Sequence, residues 1–258
     1  MIARRTLRDD WWKVAAYTAI LALNMVATVL AFPTFESNYT MIMNLVPDFM
    51  SFLKRALENM GQGKFSVFAG INHFFKGANI IGPAAAIILA LGTVVREQEV
   101  GTIGLLLSRP ISRTRILLGF ISVHLLELTL PLLLVTLFLP FTAQVLIDRE
   151  LQLMPFLLAT LHGSAFICMI YGIALLCAVL FNEQIKVAAV AGGICILSFM
   201  LYFIDATRPF TVYNLSSMEI YLQLVQGDPL PLAAFSSCLG IGAACLTAAT
   251  LIFHRTDY

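Results

Sequence analysis

His124 and Glu127 stand three residues apart near the middle of a long apolar run. That spacing brings both side chains to one face of a helix. A carboxylate at the centre of a bilayer costs about 2.5–3.5 kcal/mol on insertion scales. Glu127 is therefore expected to face the interior of a helical bundle and not lipid. Such a pair could line a substrate path, lock two helices together, or act as acid and base. The plainer alternative is a neutral Glu127 bonded to a neighbouring carbonyl or hydroxyl. His162 is a weaker candidate of the same kind. An intramembrane enzyme is disfavoured, because no nucleophile–base pair with a stabilising site and no HExxH motif is present. No catalytic residue and no metal site are assigned. Cys168, Cys177, Cys195, Cys238 and Cys245 lie in apolar runs without Cys-x-x-Cys or zinc-ligand spacing. They read as small packing residues.

Phosphate chemistry is missing as well. The chain holds no Gly-x-x-x-x-Gly-Lys-Ser/Thr run to cradle phosphates. Gly61-Gln62-Gly63-Lys64 lacks the upstream glycine and the hydroxyl residue.

The elements that position these residues must live in lipid. Apolar residues make up 59% of the chain and charged ones 12%, whereas soluble domains carry about 25% charged residues. The net charge of +1 gives no field that would draw nucleic acid. Six apolar runs are long enough to span, each needing about 20 residues. They cover approximately Trp12–Phe32, Phe74–Val95, Ile116–Leu139, Pro155–Phe181, Val187–Ile204 and Leu230–Phe253. Lipid offers the backbone no hydrogen-bond partners, so the runs are helical. The fold class is all-α integral membrane, a single domain over residues 1–258.

Lys and Arg in the short loops set the direction. Arg4, Arg5, Arg8, Lys13, Arg96, Arg109, Arg113, Arg115, Lys186 and Arg255 fall on one side. That side is expected to be the cytoplasm, with both termini in it. Ahead of Trp11 and Trp12, Ile2 and Leu7 mix with arginines, which reads as an interfacial helix or a disordered tail. Gly82, Ala86 and Ala90, and Ser236, Gly240, Ala244 and Ala248, form small-residue stripes suited to close helix packing. Pro83, Pro131 and Pro140 are expected to kink their helices.

The connection between spans two and three carries the most information. Val100, Ile103, Leu106 and Leu107 recur at helical spacing in a piece too short to span. Glu97 and Glu99 are expected at its positive end. Pro110 stops it, and Ser112 is the expected N-cap of span three. The apolar face must lie on the membrane or in a groove of another protein. Periodicity does not choose between them.

The string Glu97-x-Glu99-x-Gly101-Thr102, followed by Leu105-Leu106-Leu107-Ser108-Arg109-Pro110-Ile111-Ser112-Arg113, resembles the signature of ABC-2-type transporter permeases. The resemblance implies that this segment is a coupling helix seated on a separate ABC ATPase. Its contact residues would be Glu97, Glu99, Gly101, Thr102, Ile103, Leu106, Leu107, Arg109, Pro110 and Arg113. One departure is visible: many relatives carry Lys after the glycine that opens span three, and here Phe120 follows Gly119. The resemblance further implies two permease copies, identical or not, and two ATPase copies. The expected function is an exporter in the cell (inner) membrane. ATP and Mg would then sit on the ATPase, and this chain would carry no cofactor. A non-transporting membrane subunit that links an ATPase to signalling is the alternative. In the first outer loop, Val46 to Met60 forms an amphipathic stretch that could be a lid, lie on the outer surface or receive an extracytoplasmic partner. The last outer loop reads as polar with a central helical turn, and the resemblance suggests short half-inserted helices there.

Overall fold

A computed structural model describes residues 2–45, 54, 57, 58, 65–108 and 111–256, with side chains from residue 5 onward. Arg109, Pro110 and most of the stretch Val46–Met60 lie outside the described residues.

The described residues form an antiparallel assembly of long helices. Six are long and apolar enough to cross a membrane. The first, α1, runs Ile2–Leu45. The second begins with α2 (Phe65–Gly70), widens into π-turns over Ile71–Phe75 and Gly77–Ile81, and continues as α3 (Gly82–Leu91). Two short helices follow, α4 (Val94–Glu99) and α5 (Ile103–Leu107). The remaining long helices are α6 (Arg113–Ile147), α7 (Leu153–Leu180), α8 (Gln184–Tyr202) and α10 (Leu232–Arg255). Between α8 and α10, two 3₁₀ turns lead into α9 (Met218–Gln226).

Each predicted span has its helix, but the ends differ in instructive ways. Residues 2–11 are not a separate surface helix; they continue into the first span. No Gly or Pro interrupts them, and Pro33 is absorbed further on. A helix of this length reaches about 1.5 Å per residue, well beyond a hydrocarbon core of about 30 Å. Ser112 caps α6 as expected, its hydroxyl accepting from the Arg115 amide at 3.3 Å. Pro131 and Pro140 sit within an unbroken α6. Pro83 instead opens α3, directly after the π-turns. A residue without an amide cannot close the normal ladder, and the widened turns ahead of it accommodate that loss.

The core is built around α7, which is buried along most of its length. Close approach is visible where glycines face it. A Cβ on Gly82 would stand 2.5 Å from Ile167, and one on Gly172 would stand 2.9 Å from the Gly242 carbonyl. The Gly82, Ala86, Ala90 stripe therefore packs as predicted. The second stripe does not pack within this chain. Cys238, Gly242 and Ala249, one face over, meet the bundle, while Ser236, Gly240 and Ala244 point outward. Spacing alone does not say which of two neighbouring small-residue faces is covered.

Both termini share one end of the bundle. Arg5 donates to Glu97 at 2.8 Å, and Arg113 donates to the Thr256 carbonyl. The opposite end is closed by the α8–α10 connection, which enters the bundle more deeply than a polar loop would. Tyr213, Ser216 and Tyr221 are buried there. Ser216 donates to Asn79 at 2.7 Å, and Tyr221 stacks on Phe74 with ring centroids 5.6 Å apart. Arg208 pairs with Glu219 and lies over the Tyr202 ring, 4.9 Å from its centroid.

Candidate functional site

At the termini end, α4 and α5 make a tight corner. Gly101 adopts φ +74°, a left-handed conformation that costs other residues about 1–2 kcal/mol. The corner lets the chain reverse and start α5 from Thr102. Glu97 is the bracket. It is buried, pairs with Arg5, and accepts from the Thr102 hydroxyl at 2.6 Å. Glu99 is exposed and accepts from Gln184 at 2.6 Å. Both glutamates thus belong to α4 and not to the start of α5, because Gly101 breaks the helix that periodicity drew as one.

This break changes which apolar face looks outward. Leu106 is 3% exposed and packs on Ile116 and Phe120 of α6, with Ile103, Leu107 and Ile111 around them. Val100 and Leu105 are 65% and 72% exposed. Gly101, Gly104 and Ser108 share that open surface. The face containing Leu106 is covered from within the chain. The face containing Val100 and Leu105 is not.

The second cluster lies in the bundle beneath this corner. His124 and Glu127 share one buried face of α6, as their spacing predicts. Asp10 of α1 joins them, its Oδ2 lying 3.2 Å from His124 Nε2. The other Asp10 oxygen accepts from Lys13 Nζ at 2.5 Å. Tyr171 of α7 holds His124 Nδ1 at 2.9 Å. Glu127 is 5% exposed, and neither of its oxygens has a hydrogen-bond partner among the described residues. The plain expectation of a Glu127 bonded to a carbonyl or hydroxyl is thus not what the structure contains. One ligand atom each from Asp10, His124 and Glu127 lie within 4.8 Å of one another, close enough to hold a metal ion. Glu127 also borders an apolar cavity of about 340 Å³ between α1 and α3, lined by Tyr17, Ile20, Ile81 and Ile88 among others.

His162 is remote from this cluster. Its Nε2 lies 2.9 Å from the Leu215 carbonyl, and its ring packs against Tyr221 and Phe235. It anchors the inserted α8–α10 connection. A further buried polar chain, unpredicted, joins His73 to Thr136 at 3.2 Å and Thr136 to Thr160 at 3.0 Å. The signal for it was a histidine and two threonines inside apolar runs, too common to single out.

No curated protein matches the chain. A family profile described as ABC-2 family transporter protein matches residues 5–226. The match spans all but the last of the six membrane helices, the α4–α5 corner and the buried cluster. It covers well over half of the 258 residues, so the chain belongs to the ABC-2 family of transporter proteins.

Proposed function

We propose that the chain is the permease subunit of an ATP-driven exporter in the cell (inner) membrane. The ATPase is a separate chain that carries ATP and Mg, and it docks on the termini end of the bundle, which faces the cytoplasm. The basic residues of the short loops support that direction. A second permease copy completes the pathway, as the family resemblance implies.

The observation that carries the reading is the α4–α5 corner. Val100 and Leu105 leave apolar side chains uncovered at the end richest in Arg and Lys. Burying each is worth about 1.5–3 kcal/mol, a sizeable incentive to dock. Glu99 supplies charge beside that face, and Arg109 follows Ser108 in the sequence; such charges set orientation more than affinity. Ile103, Leu106 and Leu107 contribute by holding α5 on α6. Glu97, Thr102 and Arg113 contribute by fixing the corner and the tail. Gly101 makes the reversal.

The test is co-purification with the ABC ATPases of the source cell. Wild-type chain should retain one of them, and Leu105→Asp should lose it while remaining membrane-inserted. Undiminished retention by Leu105→Asp and Val100→Asp together would defeat this docking surface.

A further inference from the structure

We propose that Asp10, His124 and Glu127 form a binding site for one divalent transition-metal cation of the zinc type. The donor set is one imidazole nitrogen and two carboxylates, which suits Zn²⁺ and its neighbours better than hard cations, whose sites are built from oxygen alone. The three ligand atoms already lie within 4.8 Å of one another. Two of them, Asp10 Oδ2 and His124 Nε2, are 3.2 Å apart. Ligand bonds of about 2.0–2.2 Å put neighbouring donors at a similar separation, so the movement required falls mainly on Glu127.

Two features point to a cation there. Tyr171 engages His124 Nδ1 at 2.9 Å, which orients the ring with Nε2 toward the two carboxylates. Metal-bound histidines are held in this way through their other nitrogen. Glu127 is buried with both oxygens unpartnered among the described residues. A carboxylate in that position calls for a positive charge or a proton. The ligands come from α1 and α6, so a bound ion would tie together two helices that Tyr17 already links by donating to the Leu128 carbonyl at 3.2 Å.

The groups facing the cluster are Lys13 of α1 and Tyr171 of α7. Lys13 is the competitor. Its ammonium sits 2.5 Å from Asp10 Oδ1 and opposes a second cation by repulsion. The Lys13 side chain is 13% exposed and borders an open surface pocket with Arg8, Asp9 and Arg96, so its flexible stem can carry the charge outward. Three protein ligands leave a fourth position for water, as in open zinc sites. The proposal is independent of the transport reading, since metal binding needs neither ATPase nor substrate.

The experiment uses tag-free, full-length chain in detergent, stripped with EDTA and titrated with Co²⁺ near neutral pH. Visible d–d absorption reports coordination. We expect saturable bands at one Co²⁺ per chain, bleached by Zn²⁺. Glu127→Gln and His124→Gln should each weaken binding by at least tenfold. Lys13→Met should tighten it several-fold, a gain that damage to the fold would not produce. Absence of saturable bands in the wild-type chain overturns the proposal and leaves a proton as the occupant. Bands that survive both Glu127→Gln and His124→Gln overturn it equally.

Discussion

Gly101 and Gly104 sit three residues apart and should respond oppositely to alanine. Gly101 has φ +74°, and a Cβ there would touch nothing within 4 Å. The penalty is therefore backbone strain alone, about 1–2 kcal/mol. Gly104 lies inside α5, and a Cβ there also meets open space. Gly104→Ala should be neutral or stabilise by about 0.4–1 kcal/mol. Thermal melting in detergent checks both; equal shifts would mean that the corner is not strained as described. Glu97→Ala removes an ion pair and a hydroxyl bond from a buried carboxylate, and should cost about 1.5–3 kcal/mol. Arg5→Ala should cost less, because Arg5 is 43% exposed, which screens the pair, and Glu97 keeps its Thr102 bond. A larger loss in Arg5→Ala than in Glu97→Ala would contradict the bracket role. His124 and Glu127 were legible as a buried pair, since one helix places them on one face. Asp10 was not. It stands in a charged N-terminal stretch, and helical spacing does not reveal what a neighbouring helix delivers.

At the scale of elements, α5 makes the sharpest prediction. Leu106 faces α6 and Leu105 is exposed. Leu106→Asp places a charge against Ile116 and Phe120 and should lower stability by about 2–5 kcal/mol, the range of buried truncations before any charge penalty. Leu105→Asp should change melting by less than about 0.5 kcal/mol. Melting curves of the two variants separate these outcomes, and similar losses would reverse the assignment of faces. The six spans were legible because an apolar run must be a helix in lipid. Periodicity alone does not give the outward face of α5, because Gly101 splits a segment whose apolar residues keep a continuous helical period. The charges of the α8–α10 connection read as a polar loop, and only the family resemblance points to short half-inserted helices there. Its buried contacts run through Tyr213, Ser216 and Tyr221, which side-chain polarity alone does not place inside or outside.

For the whole molecule, the proposed function joins a six-helix bundle to a separate ATPase. Topology can be checked first. Arg255→Cys should be labelled by a membrane-impermeant thiol reagent only after cell disruption, and Asp228→Cys should be labelled in intact cells. Both positions are exposed, at opposite ends of α10. Labelling of Arg255→Cys from outside intact cells would invert the orientation. The most direct measurement of the central claim is ATP hydrolysis in proteoliposomes. The purified chain alone should hydrolyse none. The wild-type chain with its co-purified ATPase should hydrolyse ATP, and Leu105→Asp should abolish the hydrolysis that depends on the permease while leaving the bundle inserted. ATP turnover by the chain alone, or full permease-dependent hydrolysis by Leu105→Asp, would contradict the account.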